Sequence, residues 1–197
     1  GRMWFGTEEG ISIYDGVQTK VYKPSEFHRQ NANPIGNQTH FIAGDKDGNV
    51  FFDSDQSLIR YDIQTQKFSC LQKSNVYTVA SIKGTIWVGI ADSILTWNPD
   101  KNDFDFVTRL ENRNQRATCL LEDSGGRYWI GTTDGLFRMN DDKSLTCMIM
   151  GEDIYDLYED SKYNLWISIR MNGMYKRDVH GNFTRYRYDP SNPNNIS

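Results

Sequence analysis

Apolar and polar positions alternate along this chain in short runs, separated by clusters of Gly, Asn, Asp and Ser. Runs that are rich in aromatic and β-branched residues and bounded by turn formers predict strands joined by tight turns. No stretch keeps apolar residues at helical spacing through three turns, so the chain reads as all-β. One pattern recurs. An aromatic-led strand is followed by a short polar turn and by a second strand ending near Asp or Asn. It appears at Trp4-Phe5-Gly6-Thr7, Phe51-Phe52-Asp53-Ser54, Trp87-Val88-Gly89-Ile90, Trp129-Ile130-Gly131-Thr132 and Trp166-Ile167-Ser168-Ile169. The lead aromatics stand 47, 36, 42 and 37 residues apart. That is the period of a four-stranded propeller blade.

Each later copy has the other strands of a blade. Apolar runs such as His40-Phe41-Ile42-Ala43 and Ala117-Thr118-Cys119-Leu120-Leu121 precede the lead aromatic, and runs such as Phe104-Asp105-Phe106-Val107 close the unit. The expected architecture is a β-propeller fragment of about four complete four-stranded blades plus one partial blade. The partial blade covers 3–38 and the blades cover about 39–74, 75–114, 115–151 and 152–190, with 191–197 beginning another. The first copy lacks its innermost strand, so residues 1–197 read as one segment of a longer propeller; a closed five-bladed ring is the alternative. Open blade edges invite pairing with further blades or with a second copy.

The stretch Glu122-Asp123-Ser124-Gly125-Gly126-Arg127-Tyr128-Trp129-Ile130-Gly131-Thr132-Thr133-Asp134-Gly135-Leu136-Phe137-Arg138 resembles the two-component regulator propeller repeat. Looser copies lie at Glu159-Asp160-Ser161 with Leu165-Trp166-Ile167, and at Trp4-Phe5-Gly6-Thr7. Tyr188-Asp189-Pro190-Ser191-Asn192-Pro193 is similar to that family's inter-blade linker. The resemblance implies the periplasmic sensor region of a hybrid two-component system of Bacteroidetes, with a histidine kinase elsewhere in the parent protein. It also implies an oligosaccharide as the sensed ligand and no chemistry in this segment. The copies depart from the pattern at Phe52-Asp53-Ser54, at Ile90-Ala91-Asp92-Ser93 and at Ile169-Arg170-Met171-Asn172, all in or beside the loop between second and third strands.

That loop and the blade connectors fall on one propeller face, where planar Arg and Asn groups suit sugar hydroxyls, uronates or sulfates. The candidate ligand contacts are His28, Arg29, Arg113, Arg116, Arg170 and Asn172. Other readings compete. Asp45-Lys46-Asp47-Gly48-Asn49 opens like a calcium loop, but Val50 and Gln56 stand where Gly and an acidic ligand are needed, and an Asp-Gly hairpin turn fits better. Trp4, Trp87, Trp129 and Trp166 resemble sugar platforms, but a site repeated in every blade is packing. Glu8, Glu9, Asp55, Asp92 and Asp134 gather carboxylates as a glycosidase would. Ser124 and Ile82 stand where a sialidase box needs Asp, so catalysis is the weaker reading, and a purely structural or dimerising propeller is the other alternative. The sequons at Asn37, Asn182 and Asn195 carry no weight.

Composition adds exclusions. The formal charge is −4 with Lys and Arg scattered, so no basic stripe faces a nucleic acid. No apolar run is long enough to span a membrane, and no signal peptide opens the chain at Gly1-Arg2-Met3. Three separated cysteines, Cys70, Cys119 and Cys147, form neither a disulfide framework nor a zinc motif. No cofactor and no metal are expected.

Overall fold

The computed structural model describes residues 2–8, 10–23, 38–72 and 75–187. Among these residues there are nineteen strands and no helix. A three-stranded sheet comes first, from β1 (Met3–Thr7), β2 (Gly10–Tyr14) and β3 (Thr19–Tyr22). Four four-stranded sheets follow. The second sheet holds β4 (Ile42–Gly44), β5 (Val50–Ser54), β6 (Ser57–Asp62) and β7 (Lys67–Gln72). The third holds β8 (Val76–Ile82), β9 (Thr85–Ile90), β10 (Ser93–Asn98) and β11 (Asp103–Arg109). The fourth is built from β12 (Ala117–Glu122), β13 (Tyr128–Thr132), β14 (Gly135–Met139) and β15 (Leu145–Met150). The fifth is built from β16 (Ile154–Glu159), β17 (Leu165–Ile169), β18 (Met174–Arg177) and β19 (Phe183–Tyr186). Each sheet is a meander of sequence neighbours, and the pairings are antiparallel. The all-β blade architecture expected from the repeat, four complete blades and one partial, is therefore the one observed.

The chain divides into two compact units, Gly1–Ala91 with Leu95–Phe106, and Asp92–Ile94 with Val107–Ser197. The first unit has a core of Ala43, Phe51, Leu58, Val76, Val79, Ile86, Val88 and Trp97, and a smaller one of Ile11, Phe52 and Ile59. The second unit packs Cys119, Trp129 and Leu136 of the fourth sheet against Ile154, Leu157, Leu165 and Ile167 of the fifth. β5 in the first unit and β13 in the second, each the second strand of its blade, are largely buried on both faces, because each face is covered.

Tight turns position the loops. In the hairpin between β4 and β5, Asp45 accepts the backbone N–H groups of Asp47 and Asn49, and Gly48 takes a positive φ of 85°. The segment that opened like a calcium loop is therefore a hairpin turn whose carboxylate serves the backbone. Asp160 does the same for Lys162 and Asn164. In the fourth and fifth sheets the carboxylate of this turn, Asp123 or Asp160, also holds the lead tryptophan. Trp129 Nε1 donates to Asp123 Oδ2 at 2.8 Å, and Trp166 Nε1 donates to Asp160 Oδ2 at 2.9 Å. Trp87 is buried and Trp129 is 1% exposed, so these two are packing residues and not sugar platforms.

Candidate functional site

A β-bulge recurs in the first strand of the blades. The register of β8 slips between Val76 and Thr78, that of β12 between Ala117 and Cys119, and that of β16 between Ile154 and Asp156. The extra residues are Tyr77, Thr118 and Tyr155. A bulge turns one side chain away from the alternation of the strand and towards the end of the sheet. In the second sheet the same register position falls on His40, because Asp53 donates its N–H to the Phe41 carbonyl as Gly131 pairs with Cys119.

The loops between second and third strands are stitched to the blade connectors by backbone hydrogen bonds. In the first unit Asp55 N–H donates to the Gln38 carbonyl, Val76 N–H to Gln56, and Ala91 N–H to Asn75. In the second unit Thr133 N–H donates to Arg116, Gly151 N–H to Asp134, and Arg170 N–H to Asp153. Within each unit the connectors and these loops therefore share one end of the sheets, as the sequence reading required of them.

In the second unit that end carries four of the expected ligand contacts. Arg113 and Arg116 are exposed. Arg170 is held in place: its Nε donates to Asp153 Oδ2 at 2.9 Å, and its guanidinium lies 5.0 Å from the centroid of the bulged Tyr155. Asn172 donates to Glu152 Oε2 at 2.9 Å and accepts from Arg187 at 2.9 Å. Arg185 closes the group on Glu152 at 2.8 Å and stacks over Tyr175. The result is a mixed-charge, aromatic-lined surface with exposed guanidiniums at Arg113 and Arg116. His28 and Arg29 lie outside the described residues, as do Glu9 and the linker 188–193.

The first unit carries a cleft of about 480 Å³ lined by Glu8, Gln38, His40, Asp55 and Gln56. A smaller one of about 200 Å³ shares Glu8, Gln38 and His40 and reaches Gly6, Thr7 and Thr39. The larger volume lies in the range of small-ligand sites. Beneath it sits Asp53, with a side chain 4% exposed, while that of His40 is 60% exposed. Asp53 Oδ1 accepts the N–H groups of His40 and Phe41, each at 2.7 Å, and Oδ2 lies 3.0 Å from His40 Nδ1. Sequence reasoning noted Asp53 as a departure from the Gly of the repeat but did not join it to His40. The available signal was the pair of exceptions, an acid at the Gly position and a His thirteen residues earlier.

The comparisons with known proteins agree with this architecture. The two component regulator propeller family matches residues 113–134, within the fourth blade and its connector. A search of curated proteins finds no match. Among solved structures the chain is similar to the extracellular domain assigned to a hybrid two-component system of B. thetaiotaomicron, at 17% identity and a TM-score of 0.71, covering 100% of this chain and 33% of that one. It is similar to PorZ, a surface component of the type-IX secretion system of Porphyromonas gingivalis, at 13% identity and a TM-score of 0.68, covering 97% and 33%. It is also similar to virginiamycin B lyase from Staphylococcus aureus, at 16% identity and a TM-score of 0.70, covering 93% and 64%. The chain spans about one third of the length of the first two. At these identities the likeness establishes the propeller fold.

Proposed function

We propose that this chain is a ligand-binding segment of an extracytoplasmic sensor propeller in a hybrid two-component system, and that it senses a glycan-derived oligosaccharide without acting on it chemically. The observation that carries the reading is the match of residues 113–134 to the regulator propeller family on a chain that repeats the same blade throughout. The likeness to an extracellular domain of such a system supports it.

In this reading the sensor works by differential affinity. A ligand shifts a receptor between two states only as far as it binds one of them more tightly. The exposed guanidiniums of Arg113 and Arg116 supply charge-assisted donors to a uronate or sulfate, and Arg170 and Asn172, held by Asp153 and Glu152, supply a preformed polar rim. The kinase lies elsewhere in the parent protein, and further blades or a second copy complete the propeller.

The test is calorimetric titration of the purified chain, with its mass in solution checked, against neutral, uronate-containing and sulfated oligosaccharides. Saturable binding of one class, weakened by Arg113→Ala or Arg116→Ala, is the expected result. A folded chain, and a complete propeller of the same parent, that bind none of the panel would overturn it.

A further inference from the structure

We infer that the cleft of the first unit is a second ligand subsite, built to take a primary ammonium group. This goes beyond the sugar reading and does not depend on it. The argument starts from the two departures from the repeat. Where other blades place Gly6, Gly89 or Gly131, the second blade places a buried acid, Asp53. At the bulge position, where other blades place Tyr77, Thr118 or Tyr155, it places His40.

Asp53 accepts two backbone N–H groups through Oδ1, and Oδ2 faces His40 Nδ1 at 3.0 Å. The contact places a ring N–H of His40 on Asp53 Oδ2, and the tautomer with its proton on Nδ1 leaves Nε2 as an acceptor. The rest of the lining is also rich in acceptors. Glu8 and Asp55 bring carboxylates, and Gln38 and Gln56 bring amide oxygens beside their NH2 groups; among the described residues neither Lys nor Arg lines the cleft. Asp55 uses Oδ1 for the Gln38 N–H at 2.9 Å. A described lining with two carboxylates and further acceptors is matched by a group that is all donor and positively charged. An ammonium, with three donors and no acceptor, fits that lining; a sulfate or uronate is repelled by it. The ammonium comes from an amino sugar or from a polyamine, and the experiment separates the two.

The full chain is titrated calorimetrically with a short glucosamine oligosaccharide, with its N-acetylated counterpart and with spermidine. The titrations are repeated on Glu8→Gln, Asp55→Asn and His40→Gln. Asp55 has a positive φ of 44°, which Asn tolerates, and Asn keeps the oxygen that accepts the Gln38 N–H. The expected result is binding of the amine-bearing ligands, weakened about tenfold or more by N-acetylation and by loss of either carboxylate. His40→Gln is expected to weaken it as well, and added salt should act in the same direction. Equal affinity for the amine and its N-acetylated form, or affinity unchanged in all three variants, overturns the subsite while leaving glycan sensing standing. Binding of spermidine with the same dependence on Glu8 and Asp55, and of no sugar, upholds the subsite and sinks glycan sensing at this cleft. Silence towards every amine overturns the subsite.

Discussion

Gly131 shows how single residues of the repeat earn their place. A Cβ built on it would run into Cys119 Sγ and Ile154, so the blade closes only over a bare backbone. Gly131→Ala is expected to destabilise by about 1–3 kcal/mol, the usual cost of overpacking, read from urea unfolding. Neighbouring letters of the motif have similar duties. Thr132 turns its hydroxyl onto the Gly135 carbonyl at 2.9 Å, and Thr7 does the same to Gly10. Asp123 holds Trp129, and its loss would leave a buried indole N–H unpaired. Asp123→Ala should therefore cost about 1–3 kcal/mol by the same measurement. Burial pushes the Asp123 carboxyl up, but hydrogen bonds from Trp129 and from Arg127 outweigh it and hold the group below its ordinary 3.8. Bonds from Trp166 and Asn164 hold the Asp160 carboxyl well below that value. A carboxyl depressed in the fold stabilises fully above its unfolded value and loses that contribution as pH falls through the folded one. Melting temperature should therefore drop more steeply below about pH 4 in the wild type than in Asp160→Asn. Parallel curves would show that the Trp166 contact carries no such linkage.

At the scale of strands and sheets, the energy lies where blades cover one another. In the second unit Ile154 and Ile167 are fully buried among Cys119, Trp129 and Leu136. Ile167→Ala is expected to cost about 2–5 kcal/mol, and Arg170→Ala less than about 1 kcal/mol, because the Arg170–Asp153 pair is half exposed and screened by water. Chemical denaturation of both variants decides between packing and ion pairs as the source of stability. The recurring bulge belongs to this scale too. In the third, fourth and fifth sheets it places one re-aimed side chain, Tyr77, Thr118 or Tyr155, beside the connector that leads into the blade. The repeat thus separates its structural letters, which sit in the strands and turns, from the positions left free to vary. A sequence reading found the strands by their alternation and the turns by their Asp and Gly. It did not find the bulge, because one extra residue in a strand of six leaves no trace in hydrophobic period.

For the molecule as a whole, the three thiols give a graded probe. Burial pushes the Cys119 thiol up to about 12, whereas Cys147 is exposed and Cys70 intermediate. A thiol reagent added to the folded chain should modify Cys147 first and reach Cys119 only when the second unit opens, so the Cys119 rate tracks denaturant. Rapid labelling of Cys119 in buffer would contradict the packing of the fourth sheet against the fifth.

Blade number, strand order and all-β class were legible in the sequence alone, since each depends on local period and turn chemistry repeated at one spacing. The packing role of Trp87 and Trp129 was legible as well, because recurrence at one strand position marks packing. The candidate sites were legible only as a list of loop residues. How they are held is a matter of contacts between distant segments, such as Arg170 with Asp153 and Tyr155, and Asn172 with Glu152 and Arg187. The pairing of His40 with Asp53 is of the same kind. Two residues thirteen positions apart meet because the segment leading into β4 runs antiparallel beside β5, where Asp53 N–H donates to the Phe41 carbonyl. Local pattern decides strands; which side chains share a cleft is decided by register and by the covering of one sheet by the next, and only the tertiary structure contains both.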